Sequence, residues 1–494
     1  MGSHTIGIDV GSQSIKGCLL DPDGDVVAVG RQGCAMHHPA SGWAEQDPAE
    51  WHVGLVSVVY EMLERAGVAG ADVGQLGLAC QVDGVIPVDE ALRPLRDAVI
   101  WLDRRASSEA ATLVDKVGKR ELFELTGLNC NASHTAPKMM WLRDNEPDIY
   151  KETRWLPAVG GYLVGWLTGE VVLDHANASS TLLYDVGAAG WSERLAEAAG
   201  IEISLLPEIR DSTDVAGCLT QGAAERLGLT TNCKVVVGTG DEHGAALAAG
   251  LLRPGLVADV TGTAEPVAAV ADELTLDEEL LVETHAHAVP GTLLVENPGF
   301  VSGGSTLWLS ESVLRRPQAD LFALAAKAPA GSDGVMFLPS LSGAMAPRWN
   351  DDMRGAFAGL SMNHDDAHLS RAVLEGCAYA LRDVVDRLDA LGLVDDEIRV
   401  VGGGARSPLW LQIKADVLNR PVRPVLAKEP TAMGAAMLAG VAGGAFADFD
   451  DAVARGVAIA PGPIAPDADR AARYEDGYAA YRRLYDGVEG ALDD

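Results

Sequence analysis

One short pattern occurs twice in the chain. A buried strand ends in an aspartate and runs into a turn of small and hydroxyl residues, and a second strand follows. Because a repeated pattern indicates repeated domains, the sequence predicts two related α/β domains, each presenting one such turn to a shared cleft. A length of 494 residues also exceeds what a single hydrophobic core usually serves. The repeated positions are Asp9, Gly11 and Ser12 in the first copy and Asp259, Thr261 and Gly262 in the second.

A proline–glycine break at Pro254–Gly255 predicts the boundary between the two domains. We therefore expect a first domain over residues 1–250 and a second over residues 251–450. Residues 451–494 remain, and their charged, tyrosine-bearing amphipathic pattern over 466–490 predicts a helix that forms a docked tail.

An acidic residue stands at a predicted strand-to-helix turn in the middle of the chain. The β-branched run Val235–Val237 predicts a buried strand, and Gly238 and Gly240 allow the backbone to turn sharply. The small residues Ala245–Ala249 then predict a tightly packed helix. Asp241, at the turn, can face a cleft as a functional carboxylate or serve as a plain helix cap.

Three turns have the composition of phosphate-binding or nucleotide-binding loops. In the first, the amides and hydroxyls at 11–14 could wrap a phosphate beside Lys16, and Asp9 could hold a magnesium ion through water; a hairpin with a solvated aspartate fits equally well. The second is its repeat near residue 261. The third, Gly402–Gly404, lets a flat ring or a phosphate approach the backbone before a helix begins at Ser407, although a close strand–helix junction would use the same glycines.

Polar residues also follow two predicted strands of the first domain. Gln81 and Asp83 lie in a polar turn between apolar runs, so they point into a cleft or cap the turn. Asp103 and Arg105 follow another buried strand, where a structural ion pair is the simpler interpretation.

Two histidines alternate along a predicted strand of the second domain. His285 and His287 therefore lie on one face of that strand. Because the sequence offers no third ligand nearby, we interpret them as structural residues rather than as a metal site.

Composition excludes several classes of function. The formal net charge of −33 argues against a nucleic-acid or anionic-membrane partner, although it does not preclude a nucleotide ligand. The seven cysteines are scattered and form no CxxC pair, as in a reduced cytoplasmic protein. No apolar run reaches membrane-spanning length and no signal-peptide pattern opens the chain, so we expect a cytoplasmic location. Neither a P-loop nor a GxGxxG motif is present.

Several sequence motifs occur in a characteristic order along the chain. They are Trp101–Arg105, Ser133–Asn145, Gly355–Leu360 with His368–Leu369 and Ala372–Glu375, and Gly402–Ser407. Together they resemble the FGGY carbohydrate kinases, a branch of the actin, Hsp70 and sugar-kinase superfamily, and the resemblance covers nearly the whole chain. It implies two ribonuclease-H-like (actin-like ATPase) domains with an interdomain cleft, and ATP and Mg²⁺ as cofactors.

The resemblance also implies roles for individual residues. Asp241 matches the general base of the family. Magnesium would be held through Asp9 and Asp259. The ATP-binding residues would be Gly11, Ser12, Gln13 and Lys16 in the first domain, and Thr261, Gly262, Thr263, Gly403, Gly404, Ala405 and Ser407 in the second. The substrate-binding residues would be Gln81, Val82, Asp83, Trp101, Asp103 and Glu242.

In length and motif wording the chain is most similar to the xylulokinases. The implied function is ATP-dependent phosphorylation of a terminal hydroxyl of a pentulose. Xylulokinases usually have Met-His where Val82-Asp83 stands, and Asn where Glu242 stands. These departures favour contacts to hydroxyls, so a polyol kinase is an alternative, and a non-catalytic sugar-binding regulator on the same fold is another. The resemblance also allows a homodimer, because dimers are common among similar enzymes.

Overall fold

Two mixed β-sheets, one in each half of the chain, organise the computed structural model, which describes residues 3–344, 347–350 and 352–492. The strands of the first half are β1 His4–Val10, β2 Ser14–Leu20, β3 Val26–Gly33, β4 Glu45–Gln46, β5 Val73–Cys80, β6 Ala98–Val99, β7 Val172–Asp174, β8 Tyr184–Asp185, β9 Gly190–Trp191, β10 Glu208–Arg210, β11 Val215–Cys218, β12 Lys234–Val236 and β13 Thr239–Gly240. Those of the second half are β14 Gly255–Thr261, β15 Val267–Ala271, β16 Glu283–Ala286, β17 Leu293–Asn297, β18 Met336–Leu338, β19 Ala356–Ala358, β20 Val394–Gly402 and β21 Val422–Pro424.

Helices pack on both sheets. In the first half they are α1 Pro48–Ala66, α2 Ser107–Val117, α3 Lys119–Thr126, α4 Thr135–Asn145, α5 Pro147–Glu152, α6 Val159–Thr168, α7 His175–Ser179, α8 Glu193–Ala199, α9 Gln221–Leu227 and α10 Asp241–Ala248. In the second half they are α11 Gly303–Leu307, α12 Gln318–Ala325, α13 Asp366–Ala390, α14 Pro408–Leu418, α15 Pro430–Gly443, α16 Phe449–Gly456 and α17 Ala468–Leu492.

The two sheets repeat one plan. In the first sheet the strand order is β11-β12-β5-β1-β2-β3, with β13 also paired to β5. β1 is antiparallel to β2 and parallel to β5. The second sheet has the order β16-β17-β15-β14-β20-β21, with β14 antiparallel to β15 and parallel to β20. The duplicated strand–turn–strand pattern of the sequence therefore corresponds to β1–β2 and β14–β15.

Helix α15 belongs to the second half of the sequence but packs on the sheet of the first half, against β1 and β5. Glycines permit this close approach. A Cβ atom added at Gly77 would lie 2.2 Å from the carbonyl oxygen of Ala435, and one added at Gly7 would lie 2.1 Å from that of Ala432. The two halves thus share a hydrophobic core around α10 and α15.

We expect Gly77→Val to lower the thermal unfolding temperature by roughly 2–6 °C, because overpacking such a contact costs about 1–3 kcal/mol. Gly33→Ala is the matched control, since a Cβ atom there meets nothing within 4 Å. Differential scanning fluorimetry measures both. Equal unfolding temperatures for the two variants would contradict the tight packing of α15.

The C-terminal helix α17 is docked, as the sequence predicts. Its buried tyrosines, among them Tyr474 and Tyr478, pack with Tyr379 of α13. Among the residues with described placement, no helix combines the length and apolar character needed to cross a bilayer.

Candidate active site

Three polar side chains of the first half lie where parallel strands end at one edge of the sheet. β1, β5 and β13 are parallel neighbours, and Ala79 is in register with both Asp9 and Thr239. Gln81 directly follows β5, and Asp241 directly follows β13. Because the carboxyl ends of parallel strands meet at the same edge, these strands carry Asp9, Gln81 and Asp241 to one side of the sheet.

Asp241 is not the cap of helix α10. Gly240 stands at the N-cap position, and Asp241 is the first helical residue, so the alternative interpretation as a plain cap is wrong. Its Oδ1 accepts a hydrogen bond from the backbone N–H of Glu242 at 3.0 Å. Burial raises the pKa of Asp241 to about 7, and the negative charge of Asp9 adds to this shift. A carboxylate with such a pKa can accept a proton near neutral pH.

Asp9 pairs with the lysine that follows its turn. Lys16 Nζ lies 3.2 Å from Asp9 Oδ2 and 3.8 Å from Oε2 of Glu429, the residue before α15. Burial raises the pKa of Asp9, although the charge of Lys16 opposes that shift. Of the turn between Asp9 and Lys16, Gln13 is exposed and Gly11 and Ser12 are partly exposed. A cationic side chain thus stands beside the turn, as the sequence predicts.

The corresponding turn of the second half meets two further glycine segments. The N–H of Gly403 donates to the carbonyl oxygen of Thr261 at 2.9 Å. The N–H groups of Gly303 and Gly304, where α11 begins, donate to the carbonyl oxygens of Gly262 and Thr263 at 3.1 and 2.9 Å. The predicted turns at 261–263 and 402–404 are therefore in contact with each other.

Sequence reasoning missed the contribution of α11. Its signal was the run of small residues Ser302–Thr306, which the structure places against the Thr261–Thr263 turn. Beyond the glycine turn of 402–404, Ala405 is buried. The Ser407 hydroxyl accepts from the Trp410 N–H at 3.3 Å and so caps α14.

Asp259, a predicted magnesium ligand, is paired with a buried lysine. This residue and Lys414 are fully buried, and Lys414 Nζ lies 2.5 Å from Asp259 Oδ2. The other oxygen, Oδ1, accepts from the Thr261 hydroxyl at 2.8 Å. Because both oxygens are engaged behind the turn, the magnesium site proposed below does not include Asp259. Lys414 could not be linked to it from sequence, since 155 residues separate the two.

Asp103, a predicted substrate-binding residue, forms the ion pair with Arg105 that was the simpler interpretation of the sequence. Its carboxylate is fully buried and accepts two side-chain bonds from Arg105, at 2.9 and 2.7 Å. The N–H of Ala44 donates to it as well, at 2.6 Å. It therefore supports the loop rather than facing a ligand. The neighbouring indole of Trp101 is exposed and remains a candidate for contact with substrate.

The turn after β5 holds buried acceptors. Gln81 Nε2 donates to Gln46 Oε1 at 2.7 Å, whereas Gln81 Oε1 has no hydrogen-bond partner among the described residues. Asp83 has a left-handed backbone with φ of 59°. His134 Nδ1 lies 3.4 Å from Asp83 Oδ2, while Oδ1 has no partner within the described part of the chain. Buried Lys138 donates to the Asp83 carbonyl oxygen at 2.7 Å, which fixes the strained turn.

Two backbone carbonyl groups and the Asp83 carboxylate surround the imidazole of His134. Its Nδ1 lies 3.0 Å from the Ser180 carbonyl oxygen, and its Nε2 lies 3.1 Å from that of Asn129. The side-chain nitrogen of Asn131 lies 3.4 Å from the same Nε2. Burial alone would lower the pKa of His134, but the Asp83 carboxylate outweighs burial and raises it. His134 is a second residue that the sequence analysis did not single out.

Glu242 lies in a cleft between the halves. Glu242 and Glu296 line a small cavity of about 30 Å³, together with apolar residues such as Ala246 of α10 and Ala258 of β14. Burial, followed by the charge of Glu296, raises the pKa of Glu242 well above its usual value. Val82 packs close to Gly240. A Cβ atom added at Gly240 would lie 2.7 Å from Cγ1 of Val82.

The histidines His285 and His287 are buried, as expected for structural residues. His285 Nε2 lies 3.3 Å from Glu296 Oε1, and His287 Nε2 lies 2.9 Å from the carbonyl oxygen of Leu251. No cluster of three or more potential metal ligands occurs within residues 3–344, 347–350 and 352–492.

Comparison with known proteins identifies the family. Residues 4–248 match the N-terminal domain, and residues 257–443 the C-terminal domain, of the FGGY family of carbohydrate kinases. The xylulose kinase of Lactococcus lactis is 30% identical over 485 residues, covering 98% of this chain and 96% of that protein. The glycerol kinase of Thermococcus gammatolerans is 32% identical over 454 residues, covering 90% of each.

A solved structure has the same fold. The crystal structure of the xylulose kinase of Rhodospirillum rubrum matches with a TM-score of 0.91 and 30% identity, covering 99% of this chain and 100% of that one. The actin-like, two-domain fold expected from the sequence is confirmed. The chain therefore belongs to the FGGY family of carbohydrate kinases and is itself a carbohydrate kinase.

Proposed function

We propose that the enzyme transfers the γ-phosphoryl group of ATP to a terminal hydroxyl of a pentulose. The observation that carries the proposal is the carboxylate of Asp241, whose pKa is raised to about 7 at the edge of the sheet where Asp9 also lies. The similarity to xylulose kinases supports the choice of a pentulose.

In this mechanism Asp241 is the general base. The substrate hydroxyl gives its proton to the Asp241 carboxylate while its oxygen attacks the γ-phosphorus, and the bond to the β-phosphate oxygen breaks to release ADP. The turns at 11–13 and 261–263 supply amides and hydroxyls to the phosphates, with Lys16 beside the first turn. The glycine turn that includes Gly403 and Gly404 lies against the adenosine, followed by Ala405 and the cap residue Ser407.

The residues at the edge of the first sheet fit a magnesium ion. Asp9 raises the pKa of Asp241, so two carboxylates repel each other where a polyphosphate would enter. Mg²⁺ is usually bound by one or two carboxylates together with phosphates and water. Asp9 would hold the ion, which would neutralise charge on the phosphates.

A polyol kinase is the second candidate, favoured by the acceptors at the sugar end. Gln81 Oε1 and Asp83 Oδ1 are buried acceptors without partners among the described residues. Hydroxyl groups can donate to both, whereas a keto oxygen cannot. Trp101 and Glu242 complete the proposed substrate site.

A coupled ADP-release assay with ATP distinguishes these functions. The panel is D-xylulose, D-ribulose, L-xylulose, xylitol, erythritol and glycerol. Highest kcat/KM on a pentulose supports the main proposal, and highest kcat/KM on a polyol supports the alternative. If no member is phosphorylated but one binds in calorimetry, the protein is a sugar-binding regulator.

We expect Asp83→Ala to raise the KM of the accepted substrate by about 10-fold or more, the usual cost of losing a hydrogen bond to a charged group. The KM of ATP should change less than about twofold, because Asp83 lies at the sugar end. Asp89→Ala, at an exposed turn of the same half, is the control. An unchanged substrate KM in Asp83→Ala would remove this residue from the substrate site.

A further inference from the structure

A buried lysine stands directly behind the phosphate-facing turn of the second half. Lys414 of α14 is fully buried and directs its ammonium group at three oxygens. Its Nζ lies 2.5 Å from Asp259 Oδ2, 2.6 Å from Thr261 Oγ1 and 3.1 Å from Glu265 Oε1. An ammonium group has three donors, so this set uses all of them.

Through Thr261, the lysine reaches the cleft-facing segments. The Thr261 hydroxyl accepts from Lys414 and donates to Asp259, which fixes its rotamer. The carbonyl oxygen of Thr261 accepts from Gly403, and a Cβ atom at Gly404 would lie 2.5 Å from Thr261 Oγ1. The same short turn also receives the N–H groups of α11. Lys414 therefore fixes Thr261, the residue through which the 261–263 turn contacts the glycine turn of 402–404.

The lysine also balances charge where a polyanion is expected. Asp259 and Glu265 are both fully buried below the turn. Burial, and then the charge of Asp259, raises the pKa of Glu265 above its usual value. Burial would lower the pKa of Lys414, but the facing carboxyl groups raise it, so the lysine stays charged. The Lys414 ammonium group therefore offsets negative charge behind the turn, in a chain whose net charge is −33.

We propose that Lys414 is a positioning residue for ATP, which fixes the Thr261 hydroxyl and neutralises Asp259 from behind the phosphate turn without touching the nucleotide. Removal of Lys414 would leave the Asp259 carboxylate uncompensated beneath the phosphates and would release Thr261. The inference rests on the proposed function, because it takes the 261–263 turn as a phosphate site.

The test is the affinity for ATP, measured by isothermal titration calorimetry on the full-length protein. We expect Lys414→Met to weaken ATP binding by about 10- to 100-fold, because one partner of a buried charge pair is lost. Adding Asp259→Asn removes the uncompensated charge and should recover at least about fivefold of that loss. Arg371→Met is the matched control, since Arg371 is also buried and pairs with a carboxylate, Glu375, at 2.8 Å.

A purely structural role would give a different pattern. Lys414→Met and Arg371→Met would then lower the unfolding temperature alike and leave the ATP affinity alike, which would overturn the proposal. A double variant that binds ATP no better than Lys414→Met would overturn the neutralising role. If Lys414→Met does not fold, Thr261→Val tests the hydrogen bond between Lys414 and the Thr261 hydroxyl instead. This variant should weaken ATP binding about 3- to 10-fold. An affinity equal to that of wild type would overturn the positioning role of Lys414.

The same titration separates this inference from the proposed function. Wild-type protein that binds no ATP would overturn both. Wild-type protein that binds ATP, together with a Lys414→Met variant of equal affinity, would overturn only the role of Lys414.

Discussion

Asp241→Asn is expected to lower turnover by about 100- to 10,000-fold, the usual contribution of a positioned general base. Asparagine has the same shape but cannot accept the proton of the attacking hydroxyl. Steady-state assays with ATP and the accepted sugar give kcat, and calorimetry gives the affinity for ATP, which should stay within about threefold of wild type because the phosphate turns are untouched. Near-wild-type turnover would remove Asp241 from the role of base.

Glu375→Gln is the control for this variant. It also removes a buried carboxylate, but one that bonds to Arg371 and Tyr474 in the second half. We expect its kcat to stay within about twofold of wild type, since Glu375 has no part in the proposed chemistry. A comparable loss in both variants would point to a general effect of removing buried acids.

The pH dependence of thermal stability tests the raised pKa of Asp241 independently of activity. Its pKa is about 7 in the folded protein, against an ordinary value of 3.8. The folded state therefore binds the proton more tightly, and this carboxyl group costs stability as pH rises from about 4 to about 7. Asparagine does not titrate, so Asp241→Asn should unfold at a higher temperature than wild type at pH 8 and show little difference at pH 4.5.

The second large effect is the pH dependence of kcat/KM. In wild-type enzyme we expect kcat/KM to fall about tenfold for each pH unit below about 7, because the free enzyme must carry Asp241 ionised to accept a proton. Between pH 7 and pH 5 the loss should reach about 50-fold, because Asp241 is half ionised at pH 7 and about 1% ionised at pH 5. The Asp241→Asn variant should lack this slope in its residual activity. A wild-type profile that stays flat down to pH 5.5 would contradict the raised pKa or the assignment of the base.

Part of the fold could be predicted because it depends on local patterns. The repeated strand–turn–strand pattern around Asp9 and Asp259 predicted two sheets of one plan, and β1–β2 and β14–β15 confirm it. The glycines before Asp241 predicted a sharp turn into a helix, and α10 begins directly at that residue. Alternation, turn composition and small-residue runs are properties of neighbouring positions, so a single sequence displays them.

The roles of Asp259 and Asp103 show where such patterns stop. Asp259 lies near the end of β14, as Asp9 lies near the end of β1, and Asp103 lies in the turn that follows the short strand β6. What separates them is the cation each one meets: a distant lysine on α14, or an arginine two residues on. The pair of Asp259 and Lys414 depends on packing between segments that are far apart in sequence, so it cannot be predicted from sequence spacing. The contact of Glu429 with Lys16, and of His134 with Asp83, could not be predicted for the same reason.

Helix α15 has a consequence for the order of events on the ribosome. Helix α15, which covers both strands, is translated roughly 420 positions after β1 and roughly 350 after β5, so one apolar face of the first sheet is uncovered when it leaves the ribosome. The surface around Gly7 and Gly77, which α15 covers in the folded protein, stays uncovered until nearly the whole chain has been synthesised. A fragment ending near residue 250 would lack that cover, and apolar surface exposed in this way makes a folding chain prone to aggregation.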